Sequence, residues 1–487
     1  MKIMLVNAPW INDSTRYSVR SGARWAHVRP RRKTIAYFPF PFAMAYATAL
    51  LKRERIDARM LDAIALGLTS EQSLGEIRSF SPDMIVIDTS TPSIDVDLDF
   101  TRKIHACMPN VKMVLSGPHA TALPEEVLAQ SPAEAVVRGE YDYTLLEYIR
   151  CIREGNALET ILGLSYRDGP VIRNNANRPL IQNLDELPYP ERETLPIDRY
   201  TDPACKLFPN GSLISSRGCP HRCTFCLEST VFFHSPSFRR RSAESVVEEM
   251  EYLVSRFGFH ELYFDDSSFT AQHEHARAVS DEILRRNVKV SWSCMADANV
   301  DFDTLQLMRR AGCTGLKFGV ETADPAGMQR INKNLELARV SDFMKYCRKL
   351  GIHTHGTFMF GLPGETRESI ARTIEFAFSL NCTTSQFSVA TPFPGTEFYR
   401  QAREHGWLTT SDWSRFDGGE SPVIEYPGCS REDIIHGLET AKKRKILHLL
   451  SNPVVFSQYI LKLYRMKGFT GLIGELLQKL GYLISRS

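Results

Sequence analysis

Two runs of alternating strand and helix pattern, separated by a loop with three closely spaced cysteines, constrain this chain more than any other feature. In the first run, residues 2–8 (Lys-Ile-Met-Leu-Val-Asn-Ala) read as a buried strand ending at Pro9, and residues 84–87 (Met-Ile-Val-Ile) are continuously apolar, as suits a central parallel strand. Strands over 58–62, 112–115 and 135–137 alternate with helical patterns over 42–52, 71–80, 98–107, 125–130 and 144–153. This alternation predicts an α/β fold whose first part, residues 1–155, is a doubly wound, Rossmann-like parallel sheet. The polar, arginine-rich stretch between residues 10 and 33 is expected to be a loop.

In doubly wound sheets ligands sit at the carboxyl ends of the strands, so three loops are candidate binding segments. The first carries Ser90 and Thr91, the second Gly117, His119 and Thr121, the third Gly139 and Glu140. Hydroxyls offer hydrogen bonds and glycines let a ligand approach the backbone; the same glycines also suit plain strand-to-helix turns. Residues 156–204 change in texture: Asp168-Gly169 marks a hairpin turn, and Pro188, Pro190 and Pro196 describe an ordered linker.

Cys219, Cys223 and Cys226 then fall within eight residues, after a short apolar strand. A centre held by three protein thiols rather than four keeps one coordination position open. Two alternatives are a structural zinc site, completed by His221 or another cysteine, and ordinary buried thiols. Beyond the loop, strands over 261–264, 290–293, 315–320, 354–360 and 386–390 again alternate with helices. With the strand before the loop they make six parallel units, a partial (β/α)6 TIM-type barrel over residues 205–400.

A chain of 487 residues needs more than one core, and a net charge of +2 carries no message about nucleic acid. Eleven cysteines without a secretory signal argue for a reducing, cytoplasmic setting. No apolar run reaches membrane-spanning length. In the helical C-terminal region, residues 401–487, Trp407, Trp413, Phe416 and Tyr426 could cap the barrel. Lys442-Lys443-Arg444-Lys445 opens a basic amphipathic stretch that can either lie on the inner face of an anionic membrane or pack on the barrel.

The cysteine spacing followed by six strand-helix units resembles the radical S-adenosylmethionine superfamily, and the front sheet makes the chain similar to its cobalamin-dependent members. The resemblance runs from residue 2 to about residue 399. It implies a four-iron four-sulfur (4Fe-4S) cluster on Cys219, Cys223 and Cys226, with S-adenosyl-L-methionine chelating the fourth iron. It places Phe225 against adenine, Asp265 and Ser268 near the methionine end, and Glu321 at ribose or methionine; an ion pair with Lys317 or an arginine is the plainer role for Glu321. Gly356, Phe358 and Gly361 resemble the adenine motif of the fifth strand. Residues 265–268 depart from the glycine-rich version of the second-strand motif.

In the front domain the same resemblance assigns cobalamin to Ser90, Thr91, Gly117, His119, Thr121, Gly139 and Glu140. The first loop lacks an Asp-x-His-x-x-Gly pattern, so cobalt would have no protein histidine, and His119 belongs with the nucleotide tail. Arg217 and Arg222 could tune the cluster, pair with a carboxylate or simply be solvated. The implied activity is methylation of an unactivated carbon in a small-molecule or lipid-like substrate, with electrons from a donor such as flavodoxin or ferredoxin. The alternatives are radical ring closure, oxidation or carbon-carbon coupling without net methyl transfer and, in another class, a zinc- or cluster-binding non-catalytic module.

Overall fold

A computed structural model of the chain describes residues 1–9, 11–13, 16–21, 25–30, 38–202, 205–419, 421–451 and 453–484, with backbone alone over 11–13, 16–21, 25–30 and parts of 454–484. The front region opens with β1 (Lys2–Asn7), buried at every position after Lys2. Much of the expected arginine-rich loop instead forms three antiparallel strands, β2 (Ile11–Asp13), β3 (Arg16–Ser21) and β4 (Trp25–Pro30). Tyr17 and Val19 alternate with Arg16, Ser18 and Arg20 at strand period, a signal masked by the charge of the segment. Trp10 and residues 31–33 lie outside the described residues.

Four more strands, β5 (Asp57–Asp62), β6 (Met84–Asp88), β7 (Lys112–Ser116) and β8 (Ala135–Val137), join β1 in parallel in the order β5-β1-β6-β7-β8. The connection order reverses between β1 and β6, the place where such sheets open a ligand crevice. Burial follows the period of two that a covered sheet requires: Ile3, Leu5, Met84 and Val86 pack on one face, and Met4, Val6, Ile85 and Ile87 on the other. The hairpin at Asp168-Gly169, β9 (Leu164–Asp168) and β10 (Val171–Asn174), adds antiparallel to β8. It extends the front sheet instead of standing free in a linker.

The second region contains β11 (Asn210–Leu213), the two-residue strands β12 (Ser216–Arg217) and β13 (Arg239–Arg240), and then β14 (Glu261–Phe264), β15 (Ser291–Ala296), β16 (Cys313–Glu321), β17 (His353–Phe360) and β18 (Thr384–Val389). Six of these pair in parallel in the order β11-β14-β15-β16-β17-β18. No pairing joins β11 to β18 among the described residues, so the sheet is an arc, as a partial barrel requires. Leu316, Phe318, Val320 and Phe358 are buried in the core that includes the covering helices. The alternate positions Lys317, Gly319, Thr357 and Met359 are less buried and turn toward the concave side.

Phe416, Val423, Ile424 and Tyr426 of the C-terminal region pack with Leu227, Val231 and Phe360 over one end of the arc. Two helices, Arg431–Ser451 and Pro453–Ile484, finish the chain. Among the described residues no helix is long and apolar enough to cross a membrane.

Candidate active site

The cysteine loop is closed at its base by the antiparallel pair β12 and β13, so residues 218–238 leave and rejoin the barrel at one point. Two backbone bonds tie it down further: Thr224 N–H donates to Ile331 O at 3.1 Å, and Phe398 N–H donates to Thr224 O at 3.0 Å. Cys219, Cys223 and Cys226 form no disulfide. Burial pushes the Cys219 thiol up to about 12 and Cys223 up to about 11, and raises Cys226 as well. Thiolates here need a positive partner, which is what iron supplies. His221, the nearest fourth ligand for zinc, has its Nε2 2.7 Å from Asp297 Oδ2. Among the described residues no three His, Cys, Asp or Glu side chains converge on a single-ion site. Phe225, half-buried, packs against the core that joins the loop to the C-terminal region.

The barrel strand ends carry polar groups of two kinds. Asp266, buried, is a structural clamp that accepts from Ser215 N–H at 3.1 Å and Ser215 Oγ–H at 2.9 Å, and also from the Ser216 hydroxyl. Beside it, the Ser267 and Ser268 hydroxyls are buried with no protein partner, the condition of groups that await a ligand. Asp265 is half-buried and faces a cavity.

Glu321 ends β16 in the left-handed region, φ +69°, a conformation that costs a non-glycine residue energy and is concentrated at functional sites. Its Oε1 meets Lys333 Nζ at 3.2 Å. A side chain on Gly319 would lie 2.1 Å from that oxygen and would displace the carboxylate from its place beside Lys333. Lys317, the partner weighed for Glu321, instead pairs with Asp202 at 2.9 Å and lies over the Tyr263 ring. Burial disfavours the Lys333 ammonium, yet Glu321, Cys223 and Asp297 outweigh it and hold the ammonium charged. Lys333 and Asp297 were invisible as site residues in the sequence, because neither belongs to a spaced motif.

Gly356 and Phe358 lie on the buried face of β17, with the Phe358 ring 5.3 Å from that of Phe387. Thr357 and Met359 are the side chains on the concave face. Gly361 N–H donates to Glu365 Oε2 at 2.6 Å.

In the front domain the three loops come together. His119 is buried; its Nδ1 is 3.1 Å from Thr91 Oγ1, and its Nε2 has no protein partner. Burial drops its pKa to about 3, so the ring is neutral. Trp413 from the C-terminal region stands edge-on to His119 at 5.2 Å, a contact only the fold reveals. Ser90 Oγ and Ser93 Oγ are 2.8 Å apart. Gly117 backs onto the neighbouring loop, where a side chain would sit 2.3 Å from Thr89 O. Gly139 N–H donates to Thr121 Oγ1 at 3.0 Å. The orphaned His119 nitrogen beside small hydroxyl-bearing loops fits a large polar ligand such as a nucleotide tail.

Glu140 goes elsewhere. Both its oxygens are taken within the protein, Oε1 by Arg217 at 2.9 Å and Oε2 by Arg239 at 2.7 Å and Ile181 N–H at 2.9 Å. Burial would raise its pKa, but the two guanidiniums outweigh that and hold it low. Arg217 is therefore a buried, paired residue rather than a solvated one.

Between the two regions lies a cavity with walls from both. Phe40, Phe42, Tyr46 and Tyr141 come from the front domain, and Arg217, Phe233, Asp265 and Ser267 from the barrel side. An apolar, aromatic pocket with a few polar groups at a domain boundary is a general form of small-molecule site.

The Radical SAM superfamily model matches residues 213–377, and the B12 binding domain model matches residues 28–149. An uncharacterized methyltransferase of Pyrococcus horikoshii is 35% identical over 397 residues, covering 81% of this chain and 85% of the relative. Two solved structures share the fold. The cobalamin-dependent S-adenosylmethionine radical enzyme OxsB aligns with TM-score 0.70 at 14% identity, over 99% of this chain and 75% of that one. The radical S-adenosylmethionine methyltransferase TsrM from Kitasatospora setae, with cobalamin and a [4Fe-4S] cluster bound, aligns with TM-score 0.68 at 19% identity, over 91% of this chain and 88% of that one. The chain belongs to the radical S-adenosylmethionine superfamily as one of its cobalamin-dependent enzymes, working with a 4Fe-4S cluster, S-adenosylmethionine and cobalamin.

Proposed function

We propose that this enzyme transfers a methyl group to an unactivated carbon of a small molecule bound in the cavity between its front sheet and its barrel. The observation that carries this reading is the shared lining of that cavity by Tyr141 of the front domain and by Arg217, Asp265 and Ser267 beside the cysteine loop. When bound, the cluster with S-adenosylmethionine supplies hydrogen-abstracting radical chemistry, and cobalamin supplies the methyl group.

The residues divide this work. Cys219, Cys223 and Cys226 hold the cluster from a loop fixed at both ends. The free hydroxyls of Ser267 and Ser268, with Asp265, receive the polar end of S-adenosylmethionine. The strained Glu321, steadied by Lys333, would accept hydrogen bonds from its hydroxyl or amino groups. Phe225 and the segment around Gly356, Phe358 and Gly361 accommodate the adenine, with Thr357 and Met359 as the side chains in reach. Ser90, Thr91, Gly117, His119, Thr121 and Gly139 hold cobalamin without giving cobalt a histidine, since a buried neutral ring bonded to Thr91 is fixed in place. The aromatic walls at Phe40, Phe42 and Tyr46 favour an apolar or aromatic substrate body and keep water from the reacting carbon.

This reading divides the chain into a cobalamin domain over 1–155, a connection over 156–204 whose hairpin extends the front sheet, a radical core over 205–400 and a cap over 401–487. A flavodoxin or ferredoxin supplies the electron. The C-terminal helices rest on an anionic membrane: residues 431–487 hold ten Lys and Arg against four Asp and Glu, and Phe469, Ile473 and Leu477 expose large apolar side chains at four-residue spacing.

The test is anaerobic turnover of reconstituted enzyme with metabolites from a deletion strain. A product heavier by one methylene unit supports methyl transfer, and productive turnover without that gain refutes it.

A further inference from the structure

We infer that Glu140 is a positioning residue through which the front domain sets the geometry of the cysteine loop. The loop's two ends are β12 and β13, and each contributes one arginine to the same carboxylate. Arg217 lies two residues before Cys219, and its Nη1 is 2.9 Å from Glu140 Oε1 and 2.9 Å from Asp142 Oδ2. Arg239 closes the far end, with Nη1 2.9 and 2.7 Å from the two Glu140 oxygens and 2.8 Å from Ile181 O.

All four charged groups are buried, with side-chain exposures of 8% for Arg217, 5% for Arg239, 3% for Glu140 and 5% for Asp142. Two carboxylates face two guanidiniums, so the buried group is neutral as a unit and each member depends on the others. The rings of Tyr46 and Phe233 cover the two guanidiniums at 4.7 and 4.9 Å.

A second contact makes the connection stiff. Gly139 has φ +63°, and a side chain there would lie 2.7 Å from Phe232 O, in the turn that follows Cys226. Backbone of the front domain therefore touches backbone of the cysteine segment with no side chain between them. Gly139 N–H is held in turn by Thr121 Oγ1. One continuous path joins Thr121 of the front-domain loops to both ends of the cysteine loop through Gly139 and Glu140.

The inference rests on the front-domain loops being the cobalamin site, and its test separates the two claims. Hydrogen exchange is measured on the full chain, free and with hydroxocobalamin, for wild type, Glu140→Gln and Glu140→Asp. Glu140→Gln is expected to speed exchange across residues 216–240 at least tenfold in the free protein while strands β6 and β7 keep their protection, and Glu140→Asp is expected to restore most of it. Hydroxocobalamin is expected to slow exchange over 216–240 in wild type and not in Glu140→Gln. If Glu140→Gln unfolds, Arg239→Lys gives the same local readout from the other side of the clamp. Unchanged exchange over 216–240 in the free folded variants overturns the inference whether or not cobalamin binds, as does equal protection by hydroxocobalamin in wild type and Glu140→Gln. Failure of wild type to take up hydroxocobalamin overturns the cofactor-site reading instead, leaving the free-protein comparison to decide the role of Glu140.

Discussion

The Glu321 carboxylate and the Lys333 ammonium meet 3.2 Å apart at the end of β16, and the strand bends into a left-handed residue to bring them together. Glu321 shares the two-residue alternation of Lys317 and Gly319 on the concave side, and the β16–β17 register shifts between Gly319 and Glu321. Removing one partner strands the other charge in a largely buried place. Lys333→Met is expected to cost about 3 kcal/mol in urea unfolding and to weaken S-adenosylmethionine binding. The double variant with Glu321→Gln is expected to regain part of the stability but not the binding.

Cysteine replacement separates cluster from fold. The three thiols lie on a loop whose anchors are β12, β13 and backbone bonds, not the thiols themselves. Cys219→Ala, Cys223→Ala and Cys226→Ala are each expected to lower bound iron and sulfide at least about tenfold with an unchanged far-ultraviolet dichroism spectrum. Retained iron in any of the three would remove that cysteine from the ligand set.

Glu365 sets a pH dependence of stability. Burial raises its pKa to about 8, against an ordinary value of 4.5, although Gly361 and Leu362 N–H groups both donate to it. Between those values the native state binds one proton more than the unfolded chain. This contribution is fully present below the unfolded value and is lost as pH rises through 8, at about 1.4 kcal/mol per pH unit. Glu365→Gln keeps the acceptor oxygen and is expected to flatten that slope in denaturation curves taken from pH 5.5 to 8.5.

We propose that His119 holds a loop and does not ligate cobalt. With Nδ1 on Thr91 and Trp413 against the ring, it has little freedom to reach a metal. His119→Ala is expected to weaken cobalamin binding while leaving the cob(II)alamin electron paramagnetic resonance spectrum unchanged. A protein nitrogen coupling in wild type that vanishes in the variant would reverse this assignment.

The terminal helices are open to a simple measurement. Phe469, Ile473 and Leu477 are 66, 42 and 64% exposed. Phe469→Ser with Leu477→Ser is expected to lower co-sedimentation with phosphatidylglycerol vesicles severalfold and to leave thermal stability unchanged, because exposed side chains contribute little to folding.

The local code of this chain reads clearly. Continuous apolar runs such as residues 84–87 admit few structures other than central strands, and the strand over Glu261–Phe264 stands where periodicity places it. The three cysteines stand out by their spacing on one loop, although spacing alone left a zinc site and buried thiols open. What the sequence left hidden concerns partners distant along the chain. Glu140 looks like a strand-end ligand until its oxygens are seen to hold arginines 77 and 99 residues away. Lys333 carries no motif until it meets Glu321, and Phe358 matches one while facing the helices.

Pattern and spacing thus determined the two α/β regions and the three-thiol loop, since backbone hydrogen bonding and burial act over a few residues. Tertiary structure decided which charges are paired, which hydroxyls remain free and how the two regions meet. Those outcomes depend on desolvation and contact between segments far apart in sequence, and no local pattern encodes them.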